Sequence, residues 1–239
     1  RNQDSRYHEP HLFLLSLTVF CSNMNNSETS DFSSRLGYTD STIAGFGLVL
    51  TGFIAFMGII TAEVLYPNYS TRQEISDLGS TVPPNPIIHE PSATIFNSTM
   101  LITGLIVLFS AYFVYRAVNR RGFPLALAIF GFGAVGVGLF PGNVTPWHGL
   151  FALLTFFVGG LTVVLSSQVV ERPFSLLCGL LGGISLAVLG SVFVYELFVG
   201  GPHPLAALGS GGIERWVAYP LILWLLAFGG YLLGAPEMD

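Results

Sequence analysis

Long apolar runs with few charges alternate with polar breaks along most of this chain. The runs cover residues 43–66, 95–118, 123–140, 147–170, 174–199 and 216–234. A helical crossing of the hydrocarbon core takes ~20 residues, so each run is about long enough to span. Backbone groups surrounded by lipid must be satisfied within their own segment, which makes these runs helices rather than isolated strands. The pattern predicts an all-α fold: a six-helix transmembrane bundle over residues 43–234. A polar leader (1–42) precedes it and a short tail (235–239) follows.

The first connection has internal punctuation. Ser70 and Thr71, followed by Gln73 and Glu74, form a capping-box pattern, and Gly79 can end the helix that it starts. The expectation is a short amphipathic helix of about two turns in the first outer loop, with Ile75 and Leu78 on one face. Pro83, Pro84 and Pro86 predict an extended stretch behind it, because proline fixes its own φ and restrains its predecessor. Ser92 is placed to cap the second span. Helix and strap together would cover the outer mouth of the bundle.

Composition agrees with the pattern. Hydrophobic residues make up 51% of the 239 and charged residues only 10%, which leaves too little polar surface for a protein in water. The lipid bilayer is therefore the first expected partner. All nine basic residues are arginine and the formal net charge is -5, so there is no basic stripe to meet phosphates and no nucleic-acid partner is expected. Cys21 and Cys178 offer neither a disulfide framework nor a metal-type pair. Residues 1–23 read as an upstream extension, since Met24 opens an ordinary polar leader.

Arginine placement sets the expected orientation. Arg35, Arg116, Arg120, Arg121 and Arg172 fall on one side under alternation, and Arg72 and Arg215 on the other. The positive-inside rule makes the first side cytoplasmic, giving a multi-pass protein of the cell membrane with both termini inside. Glycines inside the spans read as helix-packing positions, with Gly179 and Gly183 at G-x-x-x-G spacing.

Polar residues in or near the spans gather at the opposite, outer end. Glu63 closes the first span, Asn97 opens the second, His148 starts the fourth, Glu196 lies near the end of the fifth, and Glu214 and Arg215 precede the sixth. Arg72 joins them from the loop. Ionisable groups at membrane depth are costly and usually face a partner or water, so these seven residues form the candidate ligand-binding site. Pairing of Glu63 and Glu196 with Arg72 and Arg215 is the structural alternative. Glu74, Asp77 and Glu90 read as solvated loop charges. His89, His148 and His203 could hold a zinc ion chemically, but none has close ligand spacing, so no metal and no cofactor is expected.

The stretch Y-P-N-Y-S-T-R-Q-E-I-S-D-L-G, then I-F-N at the next span, F-P-G-N-V-T-P-W-H-G, and G-G-I-E-R-W-V-A-Y-P-L-I-L-W resemble the membrane family called domain of unknown function 998. The resemblance covers residues 43–234. It implies a six-helix bundle of archaea and bacteria and brings no activity, substrate or catalytic residue.

Three functional readings follow. The leading one is a non-enzymatic protein that binds or moves a lipid or small polar ligand at an outer-face cavity. The second is an intramembrane hydrolase or transferase using a histidine-bound metal or an acid/base pair such as His148 with Glu196. The third is an accessory subunit whose outer face docks a protein partner that the sequence does not identify.

Overall fold

The computed structural model describes residues 39–234. The expected leader boundary at Met24 and the tail after Gly234 lie outside the described residues. Among those described there is no strand. Six long helices carry the fold: α1 Asp40–Leu65, α2 Ser92–Ala117, α3 Gly122–Leu139, α4 Trp147–Ser166, α5 Phe174–Val194 and α6 Gly209–Gly234. All six, with α5 extended through the π-turn Tyr195–Val199, are long and apolar enough to cross a membrane.

Short connections make sequential helices antiparallel neighbours, and α6 packs against α1, so the six close into a ring. Close backbone approach at glycine fixes two of these seams. A Cβ on Gly45 would lie 2.8 Å from the Gly229 carbonyl oxygen, and one on Gly182 would lie 2.8 Å from that of Gly160. Among the described residues Gly179 and Gly183 meet nothing within 4 Å, so the G-x-x-x-G pair forms no seam among them. Gly182, between them, is the packing residue of α5.

The core has two layers. Toward the face that holds the ends of the ring's chain, Leu48, Val114, Phe123, Leu127, Trp224 and Phe228 pack as one cluster. Toward the opposite face, here called the loop face, Ile59, Tyr66, Leu78, Phe96 and Ile222 form another. Exposed aromatic and aliphatic side chains such as Phe46, Phe53, Phe109, Phe132 and Leu180 clothe the outside of the ring, as a lipid-facing surface requires. Helix α5 is the outlier. Only 17% of its apolar window is buried, against 44% to 56% for α1, α2, α3 and α6.

Several polar groups inside the ring are paired between helices. Trp224 Nε1 donates to Ser166 Oγ at 2.9 Å. Pro220 has no N–H for the helix ladder of α6, and near it Ser185 Oγ donates across to the Val217 carbonyl at 2.9 Å. Arg116 Nε and Asp40 pair at 3.0 Å, tying the end of α2 to the start of α1.

Candidate functional site

The loop between α1 and α2 departs from its sequence expectation, and the reason lies in α6. No two-turn α-helix forms. Gln73 Oε1 does accept from the Ser70 N–H at 2.9 Å, half of the expected capping box. A turn follows at 70–73, and then a single 3-10 turn at Ser76–Leu78. Arg215 explains the early stop. Its Nη1 donates to the carbonyls of Thr71 (2.9 Å) and Gln73 (3.1 Å), the acceptors on which an α-helix here would have depended. Glu214 likewise accepts the N–H of Ile75.

The start of α6 is the other half of this lock. The sequence places the sixth span at 216, but α6 begins at Gly209. The first N–H groups of a helix have no partner within it. Here Gly211 N–H finds one in the Arg72 carbonyl at 3.0 Å. The approach is tight enough to demand glycine: a Cβ on Gly211 would fall 1.6 Å from the Gln73 oxygen. Gly209, at φ 72°, takes a backbone conformation that L side chains rarely adopt.

Glu63, from the last turn of α1, completes the lock by pairing with Arg215 Nη2. The same Nη2 donates to Tyr69 Oη at 2.8 Å, and that hydroxyl donates onward to the Glu74 carbonyl at 2.9 Å. Burial pushes the Tyr69 phenol up to about 12, although Arg215 beside it pulls the other way. The ring therefore keeps the proton that it donates.

Apart from Glu214, whose carboxylate also holds the Ile75 N–H, the polar residues on the other side of α6 do not belong to the lock. An open cleft of ≈ 1070 Å³ lies between the loop-face ends of α4, α5 and α6. Glu74, His148, Glu196, His203 and Glu214 all line it. Beneath it, in the centre of the ring, is an apolar cavity of ≈ 90 Å³ lined by every spanning helix except α5. Ser76, His148, Ala152, Phe156 and Glu214 line both spaces. They form the boundary, here called the throat, between cleft and cavity.

His148 at this throat is 6% exposed. Its Nδ1 meets the Phe140 carbonyl at 2.8 Å. A carbonyl can only accept, so in the neutral ring Nδ1 holds the proton and Nε2 keeps a lone pair. No partner for Nε2 is found among the described residues. His203 is different. Its Nδ1 accepts the Leu205 N–H and its Nε2 donates to Ser191 Oγ, so both nitrogens hold the 200–208 connection together. His89 packs edge-on against Tyr66. Among the described residues no three His, Cys, Asp or Glu side chains converge as metal ligands.

The seven sequence candidates thus separate. Glu63 and Arg215 form the lock, to which Arg72 contributes its carbonyl while its side chain is exposed. His148, Glu196 and Glu214 face the cleft. Asn97 lies against Gly79 with a buried Oδ1 that has no hydrogen bond, and it lines neither space. Sequence reasoning missed Tyr69, Gly209 and Gly211 in the lock, and it read Glu74 as a solvated loop charge. Glu90, read the same way, caps α2 by accepting the Thr94 N–H at 3.1 Å.

The family model described as "Protein of unknown function (DUF998)" matches residues 49–231. The chain belongs to this family. The matched span contains every member of the lock, the throat and the cleft. No curated protein and no solved structure matches the chain.

Proposed function

We propose that this membrane protein binds an amphipathic ligand, a lipid, at its loop face, with the headgroup in the cleft and the tail entering the central cavity. The throat carries the reading: a wide cleft that holds ionisable side chains and a narrow apolar cavity share five residues. A cavity needs ~10–15 Å³ to hold one water, and mainly apolar walls favour hydrocarbon over water. The ≈ 90 Å³ present here exceeds that several-fold. The loosely packed α5 forms one wall of the cleft, which supports lateral entry from the bilayer.

Arginine placement supports the remaining topology. Arg116, Arg120, Arg121 and Arg172 lie at the face opposite the loop, and Arg72 and Arg215 at the loop face. The protein sits in the cell membrane with both termini in the cytoplasm and the cleft outside.

Lipid extraction from the purified full chain, followed by mass spectrometry, tests the binding. One lipid at about one copy per chain is expected, lost when Ala152→Trp fills the throat. Equal lipid content in both proteins would reject the site.

A further inference from the structure

The cleft has a one-sided chemistry. Among the described residues its ionisable lining is Glu74, Glu196, Glu214, His148, His203 and Tyr195, with no arginine. Arg215, the nearest cation along the chain to Glu214, is turned away and held by Glu63, Tyr69 and three carbonyls. Arg72 is exposed and does not line the space. Glu196 is exposed, and no hydrogen-bond partner for its carboxylate is found among the described residues. At the throat the buried His148 adds Nε2, a lone pair without a donor.

The Glu74 and Glu196 carboxylates and the His148 lone pair are open acceptors among the described residues, whereas Glu214 already accepts the Ile75 N–H. A headgroup that satisfies them must bring N–H donors and positive charge. A phosphate or carboxylate headgroup would instead meet like charge without a guanidinium to offset it, and like-charge juxtaposition is costly in a partly desolvated site. We infer that the ligand is a cationic amphiphile, with a protonated amine in the cleft between Glu74 and Glu196 and a single apolar tail passing His148 into the central cavity. This rests on the amphiphile reading above and adds the headgroup class to it.

The test uses the full chain in nanodiscs and four probes: dodecylamine, dodecanoic acid and dodecanol, which share a tail, and propylamine, which lacks one. Binding is taken as the part abolished by Ala152→Trp, so that partition into the nanodisc lipid cancels. Dodecylamine is expected to bind about tenfold more tightly than dodecanoic acid, a difference of the size that one favourable charge contact supplies. Glu196→Gln, at an exposed side chain outside the core, should weaken dodecylamine binding and reduce that preference.

Equal affinity for the three tailed probes, all sensitive to Ala152→Trp, would overturn the cationic assignment and leave the amphiphile reading standing. Tighter binding of dodecanoic acid would overturn the cationic assignment too. Absence of any Ala152→Trp-sensitive binding, or propylamine binding as tightly as dodecylamine, would overturn the amphiphile reading itself and the inference with it.

Discussion

Arg215 uses both ends of its guanidinium at once. Nη1 serves the carbonyls of Thr71, Gln73 and Gly211, while Nη2 serves Glu63 and Tyr69. Removing it would strand a half-buried carboxylate and several carbonyls together. Arg215→Ala should therefore cost about 3–5 kcal/mol, the range for breaking one side of a buried pair. It should appear as a lower thermal unfolding midpoint in detergent. Arg215→Lys should recover little, because one ammonium cannot reproduce a planar fork. A lysine variant as stable as the wild type would reject that account.

Asp77 tests the sign of a different effect. Its carboxyl is raised above the usual range, first by burial and then by Glu74, while a backbone N–H at Glu74 and nearby His148 pull it down. The folded chain therefore binds this proton more tightly than the unfolded chain does. Its contribution to stability falls as pH rises through the raised value and is restored as pH drops below the unfolded one. Asp77→Asn should raise the midpoint at pH 7 by about 1–3 °C and change nothing under acid conditions. A stabilisation that persists in acid would point to some other cause.

At the scale of elements, what could be read in the chain was what depends on local composition. The six spans were legible because run length and lack of charge are properties of the segment itself. The first-loop helix was not legible beyond its capping residues, because the carbonyls it needed are claimed by an arginine 142 and 144 positions later. The start of α6 was hidden for the converse reason. G-S-G-G reads as a loop until the backbone that packs on it is known. Gly211→Ala should undock the loop, lowering stability by about 2–3 kcal/mol and speeding proteolysis within residues 66–91. Gly190→Ala, which meets nothing within 4 Å, is the control and should do neither. The proline segment shows the same limit. Proline chemistry predicts extension, but Thr81 and Ile87 close it into a turn, with Thr81 N–H donating to the Ile87 carbonyl and Ile87 N–H to Thr81 Oγ1.

For the molecule as a whole, the shared depth of the polar residues was visible in the sequence, but their division into a lock and a cleft was not. It depends on the ring closing through α1 and α6, which sets Glu63 against one side of α6 and Glu74, His148 and Glu196 against the other. The proposed orientation has a direct check. In a chain lacking Cys21 and Cys178, Arg72→Cys should react with a membrane-impermeant maleimide on intact cells. Arg120→Cys should react only after permeabilisation. The opposite labelling pattern would invert the topology and place the cleft in the cytoplasm.

The pairing of Glu63 with Arg215 also sets an order of events during synthesis. The two residues are 152 positions apart, and the cation belongs to the sixth of the described spans, made after the other five. Through the insertion of the first five spans, Glu63 stands at the membrane boundary without the arginine that later holds it. A nascent chain that stops before Gly209 therefore keeps an unpaired carboxylate and an undocked loop, features that distinguish an unfinished chain from a complete one. Such truncated chains should be cleared faster by membrane quality control than the full chain, and Glu63→Gln should lengthen their lifetime in a pulse-chase experiment.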